Sequence, residues 1–283
     1  MPLLCVAFAQ RLCEAPPLLR VAALLPAALA VAGAAWLTRR GRVARWLGGA
    51  AFLWGAAVTP AVAATLSPAL RGWLTAGDVR LATSLTAAVA APIIEETIQA
   101  AGLVLLIWCW RDAVRDARDG LLYGAAMGVG FALAENLNYF ALAALAGGAA
   151  GLTESVYLRA VLGSPIHAVF TAASGAGIGA ACAVTGACRR AALVMAGLAA
   201  AVVQHAAWNG IGALWLDTAA CAPRAAAHCG LAAQLVYWSI TAPLLVALFV
   251  SPGVLGLLWV ARATAPAYAN RGGTSCRSNA STI

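Results

Sequence analysis

The feature that most constrains this chain is a series of apolar runs of about 20 residues, each long enough to cross a hydrocarbon layer of about 30 Å. Hydrophobic residues make up 63% of the 283 residues and charged residues only 10%, whereas a soluble domain has about 25% charged residues. No polar segment is long enough to fold as a separate soluble domain. The sequence therefore predicts an all-α, polytopic transmembrane helical bundle, with residues 1–262 forming a single membrane domain.

About seven spans are predicted, or eight if the long third span is broken at Pro92. Their approximate bounds are residues 21–37, 46–66, 81–110, 120–146, 160–186, 191–215 and 232–261. Residues 263–283 are rich in Gly, Ser, Asn and Thr and are predicted to be a disordered cytoplasmic tail.

The net charge of +8 comes from 18 arginines in a chain without lysine, a composition typical of a bacterial source. The arginines lie at the ends of apolar runs, which favours the lipid bilayer as partner and argues against nucleic acid. One set of alternate loops holds about twice as many arginines as the other, which has Arg11, Arg20, Arg71, Arg80, Arg159 and Arg224. Because positive residues concentrate on the cytoplasmic side, we expect an external N-terminus and a cytoplasmic C-terminus in a bacterial cell membrane. Cys221 and Cys229 then share an external loop and are candidate disulfide partners.

Ionisable and amide side chains lie inside four successive predicted spans. A charged residue at mid-membrane costs at least about 2.5–3.5 kcal/mol, so such side chains face the bundle interior and partner one another. We expect them near the bilayer centre or somewhat towards its outer face. They are Glu95 and Glu96 in the third span, Glu135 and Asn136 in the fourth, His167 in the fifth, and His205 and Asn209 in the sixth.

Helical spacing places some of these side chains on common faces. His205 and Asn209 are four residues apart and share one face. Glu95 and Glu96 are adjacent, about 100° apart around a helix. We therefore expect one of these two glutamates to carry the chemistry and the other to support it with a hydrogen bond.

These residue types are the parts of a water-activating amide hydrolase. A glutamate can take a proton from water and pass it to a leaving amine, and an asparagine can donate to an oxyanion. Histidines can orient the water, or can hold a metal such as zinc together with a carboxylate. The candidate ligands in that case are His167, His205 and Glu135, and the residues leave metal-dependent and metal-free mechanisms open.

At these positions the chain resembles the PrsW family of bacterial intramembrane proteases, and more distantly the CAAX-prenyl protease and bacteriocin-processing superfamily. The motif-bearing core covers about residues 81–215. One departure is that the family often has Lys where this chain has Gln99. The matching blocks are Glu95-Glu96, Phe131 to Asn136, the block around His167, and His205-x-x-x-Asn209.

The resemblance implies cleavage of a single-span, membrane-anchored protein near its extracytoplasmic end, typically an anti-sigma factor. It makes Glu95 or Glu96 the base that activates water and Asn209 the oxyanion donor. The site is completed by Glu135, His167 and His205, with Asn136 and Gln99 in support. The alternatives are a proton-coupled transporter, which also uses buried carboxylates and histidines, and a catalytically silent, protease-like membrane adaptor.

Overall fold

The computed structural model of the chain describes residues 44–74, 85–110, 112–163 and 166–218, with isolated helical positions between 25 and 32 and between 236 and 258. Nearly all of these residues are helical, and none of them lies in a β-strand. The all-α prediction is therefore confirmed for the described residues. Most of the first and last predicted spans lies outside them, as do the predicted tail and the disulfide candidates Cys221 and Cys229.

The described helices are numbered here in chain order. Helix α1, Arg45–Leu53, passes through a π-helical turn, Trp54–Val58, into α2, Thr59–Leu74. A second π-helical turn, Thr86–Ala90, leads into α3, Ala91–Cys109. Helix α4, Ala117–Val156, is followed by a third π-helical turn, Tyr157–Leu162. The last two described helices are α5, Ile166–Cys182, and α6, Ala187–Thr218.

Four stretches are long and apolar enough to cross a membrane, judged by length and composition: Arg45–Leu70, Thr86–Cys109, Ala117–Cys182 and Ala187–Gly210. The third runs over 66 residues and contains both α4 and α5. The predicted total of seven spans stays a prediction. Pro92 lies in the first positions of α3, where its missing amide donor costs least, and Thr86–Cys109 continues through it as one candidate span.

Helices α4 and α5 pack with their backbones in contact along a row of glycines. Gly120, Gly124 and Gly128 of α4 lie directly against backbone atoms of α5, and a Cβ atom at any of the three would overlap them. Small residues at four-residue spacing allow this close approach between membrane helices. Because Gly128 contacts the backbone of His167, the packing determines where this histidine lies relative to α4.

Helix α4 reverses its direction near its end. Gly148 has φ 59° and ψ −142°, a conformation that glycine adopts because it has no Cβ atom. Residues 149–162, here called the returning helix, then run back along α4. An apolar cluster joins the two: Phe140, Ala144, Leu152, Val156 and Ala160. Residues 149–162 are therefore helical, whereas the sequence predicts residues 147–159 as a loop between the fourth and fifth spans.

Candidate active site

His205 of α6 lies between the two adjacent glutamates of α3. Its Nδ1 atom is 3.0 Å from Glu96 Oε1, and both side chains are fully buried. Its Nε2 atom is 3.6 Å from Glu95 Oε2, which is beyond hydrogen-bond range, and neither of these atoms has a hydrogen-bond partner among the described residues. With Nδ1–H donating to Glu96, the ring presents an unprotonated Nε2 towards Glu95.

A second histidine–glutamate pair lies beside the first. His167 Nε2 on α5 is 2.7 Å from Glu135 Oε2 on α4. The other ring nitrogen, His167 Nδ1, is buried without a hydrogen-bond partner in the described part of the chain. The rings of His167 and His205 are perpendicular, with centroids 4.9 Å apart. The structure thus brings five sequence-predicted residues into one glutamate–histidine cluster: Glu95, Glu96, Glu135, His167 and His205.

Aromatic rings enclose the two histidines. Phe170 stacks on His205 at a centroid distance of 5.1 Å and an interplanar angle of 22°. Phe131 meets His167 edge-on at 5.1 Å. Both phenylalanines are buried. They restrict the rotation of the imidazole rings.

Gln99 supports Glu96 through a threonine. Thr171 Oγ1 of α5 lies 2.9 Å from Gln99 Oε1 and 3.3 Å from Glu96 Oε2, and all three side chains are buried. The hydroxyl has one proton for these two acceptors, while Gln99 Nε2 has no hydrogen-bond partner among the described residues. Rotating the Gln99 amide by 180° lets Nε2 donate to Thr171, whose hydroxyl then donates to Glu96.

The side-chain amides of the two asparagines donate to backbone carbonyls and not to the glutamate–histidine cluster. Asn209 Nδ2 donates to the carbonyl of Ala87 at 3.0 Å, within the π-helical turn before α3. Asn136 Nδ2 donates to the carbonyl of Arg159 at 3.3 Å. In this structure Asn209 therefore links α6 to the π-helical turn before α3, and its assignment as oxyanion donor stays a prediction.

Sequence reasoning missed two residues of the site. The sequence places Arg159 in a loop between predicted spans, yet the structure pairs it with Glu135. Thr171 lies one helical turn after His167, and this spacing was the available signal. Nothing in the local sequence marks Arg159, because its position depends on the chain reversal at Gly148.

The proposed metal ligands His167, His205 and Glu135 do not converge as a set. His167 is hydrogen-bonded to Glu135, and within the described ranges no group of three His, Cys, Asp or Glu side chains is arranged to hold a metal ion. The unpartnered atoms Glu95 Oε2 and His205 Nε2, which are 3.6 Å apart, fit better. Two ligands of a tetrahedral zinc, each at about 2.1 Å, lie about 3.4 Å apart. Metal-binding histidines also commonly donate their other nitrogen to a carboxylate, as His205 does to Glu96.

A model of a protein family described as PrsW family intramembrane metalloprotease matches residues 43–248, well over half of the chain. The matched region contains α1 to α6 and every member of the glutamate–histidine cluster. No match was found among curated proteins or among solved structures.

Proposed function

The chain belongs to the PrsW family of intramembrane metalloproteases, and we propose that it hydrolyses a peptide bond of a membrane-anchored protein through the glutamate–histidine cluster. It is a multi-pass membrane protein and a peptidase. We propose further that the substrate is a single-span protein, such as an anti-sigma factor, cut near its extracytoplasmic end. The arginine asymmetry supports a bacterial cell membrane with the N-terminus outside and the C-terminus cytoplasmic.

The proposal rests on two neighbouring acceptor atoms, Glu95 Oε2 and His205 Nε2, which have no hydrogen-bond partner among the described residues. A water molecule beside them, at about 2.8 Å from each, would donate one hydrogen to the carboxylate and one to the imidazole. Glu95 is then the base that takes a proton as the water attacks the scissile carbonyl. Glu96 supports this step by holding His205 in the tautomer that leaves Nε2 free to accept.

The second pair is suited to the later proton transfer. Glu135 binds His167 Nε2, so His167 Nδ1 is the free ring atom that can accept the proton taken up by Glu95 and pass it on to the leaving amine. The rings of the two histidines are in contact, so His205 Nε2 and His167 Nδ1 can act on the same substrate molecule. For Asn209 to stabilise the oxyanion, its amide must exchange the Ala87 carbonyl for the substrate oxygen.

A family metal would be held by Glu95 Oε2 and His205 Nε2 in this chain, two neighbouring buried atoms that have no hydrogen-bond partner among the described residues. When bound, such an ion supplies Lewis-acid polarisation of the water or of the scissile carbonyl. Elemental analysis of the active protein, followed by chelation and zinc add-back, measures whether cleavage requires it.

Cleavage of a panel of single-span substrates by the purified protein in detergent tests the proposed function. Glu95→Gln and His205→Ala should each lower kcat by about 10²–10⁴-fold, since the base or its partner is lost. Glu96→Gln should lower kcat by a smaller factor, because this carboxylate only orients the His205 ring. Asp112→Asn makes the same change at an exposed position and should leave cleavage unchanged. Undiminished cleavage by both Glu95→Gln and His205→Ala would overturn the assignment.

A further inference from the structure

The returning helix carries an arginine into the glutamate–histidine cluster. After the reversal at Gly148 the chain runs back along α4, and this brings Arg159 beside Glu135, which precedes it by 24 residues. The two side chains are mostly buried, with 21% and 17% of their surfaces exposed. The resulting ion pair links the returning helix to the residue that binds His167.

One turn of α4 holds Arg159 at several points. Its Nη2 donates to Glu135, and its Nε donates to Asn136 Oδ1 at 3.2 Å. Its backbone carbonyl accepts from Asn136 Nδ2 at 3.3 Å, so the side-chain amide of Asn136 hydrogen-bonds to both the main chain and the side chain of Arg159. The guanidinium carbon lies 3.7 Å from the centroid of the Tyr139 ring, a cation–π contact. A side chain bound in this way has one orientation.

The cluster needs this cation because it concentrates carboxylates. Three glutamates meet there, and Arg159 is the permanently charged cation that, within the described residues, contacts one of them, Glu135. A buried carboxylate that loses its cationic partner is strongly unfavourable and would turn away towards water or towards another donor. Glu135 would then release His167 Nε2, and the His167 ring would lose the contact that orients it.

We propose that Arg159 is a positioning residue of this peptidase: fixed by Asn136 and Tyr139, it holds the Glu135 carboxylate against His167. The docking of the returning helix is therefore a condition for an assembled site. The inference rests on the proposed function for its effect on catalysis, but the link between Arg159 and Glu135 can be measured without any substrate.

The test is a double-mutant cycle on the full-length protein in detergent, read by thermal unfolding and by cleavage kinetics. Arg159→Met should lower the melting temperature by about 10 °C, because it removes the arginine that is paired with the buried Glu135 carboxylate. It should lower kcat by about 10²-fold with little change in KM, the cost of misplacing a reacting group. The double variant Arg159→Met/Glu135→Gln should regain most of the stability but none of the activity. Arg159→Lys should regain part of both.

Arg118→Met is the matched control, because Arg118 is exposed and the same change there should leave both readings unaltered. Wild-type stability and kcat in Arg159→Met would overturn the inference. So would a loss of stability in the double variant that equals the sum of the losses in the two single variants, Arg159→Met and Glu135→Gln. If Arg159→Met does not fold, a folded double variant supports the inference and an unfolded one overturns it. Cleavage that is absent from the wild type refutes the proposed function, while the unfolding cycle still decides whether Arg159 holds Glu135.

Discussion

Replacing Gly128 with alanine should displace His167. We expect this displacement to lower kcat much more than it lowers the melting temperature. The added Cβ atom would lie 2.6 Å from the carbonyl carbon of His167 and 2.9 Å from Cα of Ala168, whereas ordinary van der Waals contact begins at 3.4 Å. Both neighbours are backbone atoms, so no side-chain rotation can relieve the overlap. Helix α5 must therefore move away from α4 by roughly 0.5–1 Å at this level.

The magnitude follows from what that movement separates. Glu135 lies on α4 and His167 on α5, so the 2.7 Å contact between them lengthens as the helices part. A misplacement of about 1 Å near a reacting group costs about 10²-fold in rate. The overlap costs about 1–3 kcal/mol of stability, but alanine regains about 1 kcal/mol over glycine within a helix. The melting temperature should therefore fall by at most about 6 °C, a loss too small to explain the loss of activity.

The assay compares kcat and melting temperature of Gly128→Ala with those of Gly49→Ala. Gly49 lies within α1, and a Cβ atom added there meets nothing within 4 Å, so this control should keep full activity and lose no stability. A Gly128→Ala protein with wild-type kcat and melting temperature would refute the claim that glycine packing places His167.

Two other substitutions test the supports of the cluster. Thr171→Val keeps the shape of the side chain but removes the hydroxyl that contacts Gln99 and Glu96, at a cost of about 1–3 kcal/mol. The melting temperature should fall, and Thr171→Ser should restore it; equal values for the two variants would contradict the hydrogen-bonding role. Asn209→Ala should lower kcat by about 10²-fold, the effect of losing an oxyanion donor. Reduced stability with unchanged kcat would instead restrict Asn209 to fastening the π-helical turn.

The residues that sequence reasoning found are those whose presence in an apolar helix is costly. Glu95, Glu135 and His205 stand out in runs of Ala, Leu and Val because an ionisable group inside a membrane requires a partner. Adjacent glutamates cannot point in one direction on a helix, and the structure places Glu95 and Glu96 at opposite nitrogens of one imidazole. The grouping could thus be predicted, whereas the pairing of particular atoms could not.

The remaining parts of the site depend on backbone geometry that leaves no distinct pattern. Arg159 stands at the end of a predicted span, where an arginine ordinarily indicates orientation. Its role depends on a positive φ at Gly148, in a stretch of Ala and Gly that the sequence predicts only as part of a loop. Asn209 lies one turn from His205 as expected, but the π-helical turn opposite it presents a backbone carbonyl that the sequence does not reveal.

The long sequence separation between Glu96 and His205 bears on how the protein is made. The two residues are 109 positions apart, and a ribosome adds about 5–20 residues per second. The adjacent glutamates therefore reach the insertion machinery about 5–20 seconds before the histidine that partners them. During that interval the first pair of the cluster does not exist, so the proposed active site is incomplete until α6 is inserted.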